Sequence, residues 1–537
     1  MSVQIPRRAA VAVVCVLAAA ALAAVPLTQA GSAPASTSQL GADLDRILAD
    51  QRLAGGQVGL EVRDAATGDV LYEHNAQNRL LPASNAKLFT STAAMDVLGP
   101  DYRFTTSVAA NRPTSHGTLL GNLYLKGTGD PTMLGPDYDA LAKAVADSGV
   151  RTVVGNLVAD DTYFDDVRLA PFWAWDDEPY YYNAQISALT VAPNTDYDAG
   201  TVIVHIAPGA AAGAPARVSV VPANHYVHLV GSATTGAPGS SDTADAVRRH
   251  GNNTIDVSGS IPAGSTGDDV WATVWEPTQL VASIFRDALR AHGIRVLGGT
   301  SYAATPAGTH ALVSHDSMTL TQLLTPFLKL SNNMHAEHLV KAMGEKVRGE
   351  GTWDAGTTAV LDDAATMGVD TSQVRMVDGS GLSRADLLTP QQITNLLIAA
   401  RGKPWFTSWY EALPVAGNPD RFTGGTLRNR MRNTPAANNL HGKTGSMTAV
   451  SALSGYVTDA AGEQLVFSMI SNNFLPNGIT SIEDAVGVAL AGYGGADPAT
   501  VAPATVAPAT VAPADPPART PGQRRNPDLE CAWVKAC

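Results

Sequence analysis

Apolar residues first recur at helical spacing at Leu40, Leu44, Ile47 and Leu48, the i, i+4, i+7 and i+8 positions of an amphipathic helix. Short alternating runs then predict two strands, 57–63 and 69–74, joined by a turn around Ala66-Thr67-Gly68. A second helix is predicted over 83–98. Its apolar side is Leu88, Phe89, Ala93, Met95 and Leu98, and Gly99-Pro100 stops it.

From about 103 to 305 the texture changes. β-branched runs at 152–158, 201–206, 217–221 and 225–230 alternate with Gly, Pro, Asn and Asp clusters, which predicts a mostly β region. Helical patterning returns at 319–330, 334–347, 355–367 and 390–400. Three strands follow at 441–448, 452–457 and 464–470, and then an apolar helix at 482–490. The first two strands and the last three share spacing and patterning. A single sheet is therefore expected to join them, with the terminal helices on one face. The expected organisation is one α/β (α+β) domain with a central antiparallel sheet, built from 31–104 and 306–495. It is interrupted by a mostly β insertion over 105–305, of two subdomains.

Both ends differ from this pattern. Arg7 and Arg8 precede an apolar stretch, 9–24, and Thr28-Gln29-Ala30 is a small-x-small cleavage site, so 1–30 reads as a signal peptide. Residues 496–537 form a Pro/Ala-rich tail with Thr-Val-Ala-Pro-Ala repeated from Thr500, read as a disordered segment or a semi-rigid tether. Cys15 falls inside the leader. Cys531 and Cys537 remain, six apart in a chain expected to be secreted, where a small disulfide loop can form.

Composition excludes several function classes. The chain has 537 residues, 45% hydrophobic and 16% charged, which suits large globular cores. A formal charge of −13 argues against nucleic acid as a partner. After the leader no apolar run reaches the length of a membrane span. Three cysteines are too few for a disulfide scaffold or a zinc ribbon.

Three short motifs carry the candidate chemistry. In Ser84-Asn85-Ala86-Lys87 the Ser and Lys are three apart at a helix start, so the ammonium group shares a face with the hydroxyl. A desolvated Lys loses proton affinity and can serve as a base toward Ser. Ser331-Asn332-Asn333, where two helices meet, offers a proton-relaying hydroxyl and a carbonyl-binding amide. Lys443-Thr444-Gly445, on a strand, offers a cation and a hydroxyl for a carboxylate, with a Gly that allows close approach. Each motif alone is weak. Together, in this order, on helix, loop and strand, they are specific.

Other clusters have simpler readings. His335-Ala336-Glu337-His338 lacks the His-Glu-x-x-His order of zinc peptidases and reads as helix packing or surface. Lys126-Gly127-Thr128-Gly129-Asp130 lacks the third glycine and helix of a phosphate loop and reads as a turn. Asp160-Asp161 and Asp176-Asp177 lack a ligand loop. No cofactor or metal is called for.

The motif trio resembles the signature of penicillin-recognising acyl-serine transferases. The wide separation of the first two motifs (331 − 84 = 247 residues) resembles the low-molecular-mass class C penicillin-binding proteins, the D-alanyl-D-alanine carboxypeptidase/endopeptidase family. Further resembling stretches are 127–132, 160–164, 175–180, 378–383 and 451–456, within an overall span of 40–493. The resemblance implies that Ser84 is the nucleophile, Lys87 its base and Ser331 the shuttle to the leaving amine. Asn333 would bind the acyl-side amide, and Lys443 and Thr444 the terminal carboxylate of D-Ala. Backbone N–H groups of Ser84 and Ser446 would form the oxyanion hole beside Gly445. For the residue preceding D-Ala-D-Ala, a diamino acid with a zwitterionic side chain, it implies a pocket. Asp176, between Trp173 and Tyr181, would take the amine, Arg384 the carboxylate and Met447 the methylenes.

The implied partners are peptidoglycan stem peptides ending in D-Ala-D-Ala, and β-lactams as covalent inhibitors. Two other readings share the motifs: a β-lactamase and a non-catalytic wall-binding protein. Between Asn333 and Lys443 there is no Glu-x-x-Leu-Asn-like loop of the kind that activates a deacylating water, which favours a stable penicillin adduct. The intact Ser–Lys pair argues against a pure binder.

Overall fold

The computed structural model describes residues 35–475 and 478–494. The expected signal peptide, Cys15, Cys531, Cys537 and the Pro/Ala tail lie outside them.

A five-stranded antiparallel sheet forms the centre, in the order Val70–His74, Gln57–Asp64, Gln464–Asn472, Val450–Thr458, His441–Met447. The middle strand, Gln464–Asn472, pairs with an N-terminal strand on one side and a C-terminal strand on the other, so the two ends of the chain complete one sheet. Alternation decides what each face buries. Leu60, Val62, Leu453, Val457, Leu465 and Phe467 face the terminal helices Ala35–Leu48 and Thr480–Ala491, against Leu44, Ile482 and Val486. Ala452, Tyr456, Val466 and Ile470 face the other way, onto Pro390–Ala400 and a helical lobe.

The buried element of that lobe is Ala86–Val97, whose residues from Ala86 to Met95 are all inaccessible. Leu320–Lys329, Asn333–Arg348 and Trp353–Thr366 surround it. The helix is buried on every side although it carries Lys87, Thr90, Ser91 and Thr92, and its N-terminus is thereby fixed beneath the edge strand His441–Met447.

The region between has its own core. A five-stranded sheet runs Thr300–Tyr302, Leu157–Asp160, Leu123–Gly127, Thr105–Ala110, His310–Asp316, with smaller sheets around Thr201–Ala207 and Thr254–Ser258. Helices Gly135–Asp147 and Pro277–Ala291 supply Tyr138, Leu141, Val145, Leu280 and Phe285 to one contiguous cluster with Val108, Leu157, Val204 and Ile255. Two subdomains bounded at 305 are the reading of the sequence. Because this cluster is continuous and His310–Asp316 pairs with Thr105–Ala110, we propose instead one inserted body running to Asp316. Among the described residues no helix is long and apolar enough to cross a membrane.

Candidate active site

Ser84 sits in a single helical turn, Ala83–Asn85, that leads into Ala86–Val97. Ala83, just before it, has φ 45°, left-handed backbone that costs a non-glycine residue about 1–2 kcal/mol. Such strain concentrates where surrounding structure fixes a functional group. One turn along, Lys87 Nζ lies 2.6 Å from Ser84 Oγ, 2.7 Å from Asn333 Oδ1 and 2.9 Å from the Ser380 carbonyl. Lys87 is wholly buried.

Ser331 and Asn333 flank the start of Asn333–Arg348. Ser331 is also left-handed, at φ 56°. Asn332 caps the helix, its side-chain oxygen accepting the His335 N–H at 3.2 Å, while its amide donates to the carbonyls of Asp196 and Tyr197 in the inserted body. Asn333 donates through Nδ2 to the Tyr182 carbonyl at 2.8 Å. Its amide oxygen thus faces Lys87 and its nitrogen the inserted body.

The third motif completes the group from the sheet edge. Lys443 Nζ, also wholly buried, donates to Ser331 Oγ at 2.7 Å and to the Thr444 carbonyl at 2.8 Å. Thr444 Oγ1 donates to Thr426 Oγ1. A Cβ on Gly445 would stand 2.7 Å from the Pro82 carbonyl oxygen and 3.1 Å from the Ser84 nitrogen, so only glycine lets this strand pass the nucleophile so closely. Lys87 thus gathers the Ser84 hydroxyl and the Asn333 amide, and Lys443 gathers the Ser331 hydroxyl.

The inserted body forms a wall. Trp173 donates through Nε1 to Asp378 at 2.8 Å, and its ring packs edge-on against Trp353. Asp177 accepts the Tyr182 hydroxyl at 2.9 Å. Burial, reinforced by Asp176, holds the Asp177 carboxyl above the ordinary range, opposed first by the Tyr182 hydroxyl and then by Arg384. Asp176 is exposed and Tyr181 half-buried. Arg384 is exposed and donates to the Thr448 carbonyl at 3.4 Å, beyond the third motif. Met447 is buried with Ala83 and Val450, with Leu382 against them. No ion pair joins Asp176 to Arg384 among the described residues.

Three contributors are invisible as motifs. Ser380 acts through its carbonyl, Tyr182 through its carbonyl and Thr426 through its hydroxyl. Only the stretch 378–383 carried any sequence signal, as one of the resembling segments. His335 and His338 are both fully buried on the helix. Burial pushes their imidazoles down, to about 3 and about 4, and the rings face the carbonyls of Tyr197, Met334 and Ser187. Asp130 caps its own turn at Thr132, and Asp161 pairs with Arg168.

The chain is similar to several known proteins. The D-alanyl-D-alanine carboxypeptidase of Actinomadura sp. (strain R39) is 44% identical over 532 residues, 97% of this chain and 96% of its own length. The carboxypeptidase DacB of Mycolicibacterium smegmatis is 28% identical, with 82% of each chain covered. The crystal structure of penicillin binding protein 4 from Haemophilus influenzae superposes with a TM-score of 0.72 at 25% identity, over 83% of this chain and 97% of that one. The fold is thus that of the penicillin-recognising acyl-serine transferases. The D-Ala-D-Ala carboxypeptidase 3 (S13) family matches residues 40–491, and the chain belongs to it.

Proposed function

We propose that this protein is a serine-type D-Ala-D-Ala carboxypeptidase acting on peptidoglycan stem peptides, with endopeptidase action on their cross-links as the same chemistry on a different leaving group. The observation that carries the reading is the short contact between Lys87 and Ser84, with Lys443 and Ser331 beside it. In this reading neutral Lys87 takes the Ser84 proton as Oγ bonds to the penultimate D-Ala carbonyl carbon. The N–H groups of Ser84 and Ser446 stabilise the oxyanion. The proton passes through Ser331 to the departing amine as the C–N bond breaks, and Lys443 with Thr444 holds the leaving D-Ala carboxylate. Water then attacks the ester with Lys87 again as base, releasing the shortened peptide and restoring Ser84.

A β-lactam would enter the same acylation step and stay. The buried carboxylates Glu337 and Asp378 are each engaged by backbone and indole N–H groups. Neither carries the loop-borne role that deacylates penicillin in efficient β-lactamases. The signal-like N-terminus supports export to the cell wall, where this substrate lies.

Lys87→Arg tests the chemistry. Guanidinium keeps the charge but does not deprotonate in proteins, so D-Ala release should fall by at least ~10²-fold. Near-normal turnover would remove Lys87 as the base.

For the side-chain pocket, Trp173, Asp176, Tyr181, Arg384 and Met447 remain our assignment. It is supported by Arg384 reaching the Thr448 carbonyl next to the third motif and by Trp173 anchoring the wall to Asp378. Acetylating the side-chain amine of a diamino-acid substrate should lower kcat/KM by about 10- to 150-fold, the worth of a charge-assisted hydrogen bond of ~1.5–3 kcal/mol. The same cap should matter little in Asp176→Ala. Equal rates for capped and free peptides in the unmodified enzyme would refute the assignment.

A further inference from the structure

A lysine acts as a base only as a neutral amine, with two N–H bonds and one lone pair. Among the neighbours of Lys87 Nζ, Asn333 Oδ1 and the Ser380 carbonyl are acceptors alone, so they take the N–H bonds and turn the lone pair toward Ser84 Oγ. How well the base is aimed therefore depends on how firmly those two oxygens are held. Asn333 is held by its bond to the Tyr182 carbonyl. The Ser380 carbonyl belongs to an irregular loop and has no ladder to hold it.

Two buried carboxylates do that instead. Glu337 Oε1 accepts the Ser380 N–H at 2.8 Å, and Oε2 accepts the Gly379 N–H at 2.9 Å and the Trp353 indole at 2.8 Å. Asp378 accepts the N–H groups of Gly381 and Ser383, both at 2.7 Å. The peptide units on either side of Ser380 are thus each pinned through their N–H. Thr90 adds a bond to the Gly379 carbonyl at 2.7 Å from the nucleophile's own helix. Gly381 has φ 80°, and a Cβ there would overlap the Ala83 carbonyl, so loop and nucleophile turn are in contact.

Glu337 also stands four residues after Asn333, on the same face of Asn333–Arg348. We propose that Glu337 is a positioning residue for acylation: by binding the Gly379 and Ser380 N–H groups it fixes the peptide units leading into Ser380, and together with Asp378, which holds the Gly381 N–H of the carbonyl's own peptide unit, it aims the Ser380 carbonyl, and through it the lone pair of Lys87, at Ser84. One helical turn would then set these two acceptors of the base. The inference rests on the reading of Lys87 as base. Burying a carboxylate is costly, and three N–H donors offset that cost only if the group stays where it is. Burial, then Asp378, pushes the Glu337 carboxyl up, and these donors oppose the shift.

Glu337→Gln is the test, since the side-chain shape is kept while its amide NH2 must face an N–H whichever way it turns. Acylation by a fluorescent penicillin is followed in the pre-steady state, which separates the pre-covalent dissociation constant from the first-order acylation constant. The acylation constant should fall about 10- to 100-fold, the scale of a slightly misplaced catalytic group. The dissociation constant should be unchanged, and every molecule should eventually be labelled. An acylation constant within about twofold of wild type would overturn the proposal. So would a smaller labelled fraction reacting at the wild-type rate, the signature of a purely structural residue. If Glu337→Gln does not fold, Trp353→Phe decides: it removes one donor from Glu337 and should lower the same constant a few-fold, whereas no change refutes the proposal. Near-normal acylation in Lys87→Arg would fail the base reading separately.

Discussion

Ser84 and Lys87 are legible from spacing alone, because three residues along a helix bring two side chains together whatever surrounds them. Ser331 and Lys443 are legible only as motifs, since their 2.7 Å contact spans 112 positions and depends on the whole sheet. Buried acids are harder to read. Asp130 stands in a stretch that resembles a phosphate loop, yet its Oδ1 accepts the Thr132 N–H at 2.8 Å and hydroxyl at 2.6 Å, while Oδ2 has no partner. Burial pushes its carboxyl up from 3.8 to about 6. A carboxyl raised in the folded state contributes its stability below the unfolded value and loses it as pH rises through the folded one. Between pH 4 and 6 the folded protein should therefore lose on the order of 2–3 kcal/mol through this group. Asp130→Asn keeps the accepting oxygen and cannot ionise. Its Tm relative to wild type should be higher at pH 7.5 than at pH 4, and a pH-independent difference would contradict this account.

At the scale of elements, the sheet strands were readable as short apolar runs set off by turns, the three central ones being buried on both faces. The inserted body was read less well. The β texture of 103–305 hides Pro277–Ala291, although Leu280, Val281, Ile284, Phe285, Ala288 and Leu289 follow a helical period behind a proline at its start. The run predicted over 152–158 is two strands, Thr152–Val153 and Leu157–Asp160, in different sheets. Gly155 separates them, where a Cβ would stand 2.6 Å from the Gly121 carbonyl oxygen. Contacts between elements left no trace in the pattern, because they are made by backbone carbonyls whose position is set by the chain path. Asn332 shows what they are worth. It caps its helix and reaches the carbonyls of Asp196 and Tyr197. Asn332→Ala should cost at least ~1 kcal/mol for the cap, and more for the buried carbonyls left unpaired. Denaturant titration should show a lower midpoint, and wild-type stability would contradict the cap.

In the whole molecule, chain ends and middle have different tasks. The ends meet in one sheet whose edge strand carries Lys443, the helical lobe carries Ser84, Lys87 and Ser331, and the inserted body closes the site through Trp173 and Tyr182. No single segment holds the chemistry, so activity should require the intact chain path. The central claim is that this assembly makes Ser84 a nucleophile that forms an ester. Intact-protein mass spectrometry after incubation with penicillin G, with peptide mapping, tests it most directly. One adduct of the mass of the whole drug should appear, located on Ser84, and it should be absent from Ser84→Ala, which keeps a folded helix start. Wild-type protein that stays unlabelled, or a Ser84→Ala variant still carrying the adduct, would contradict the account.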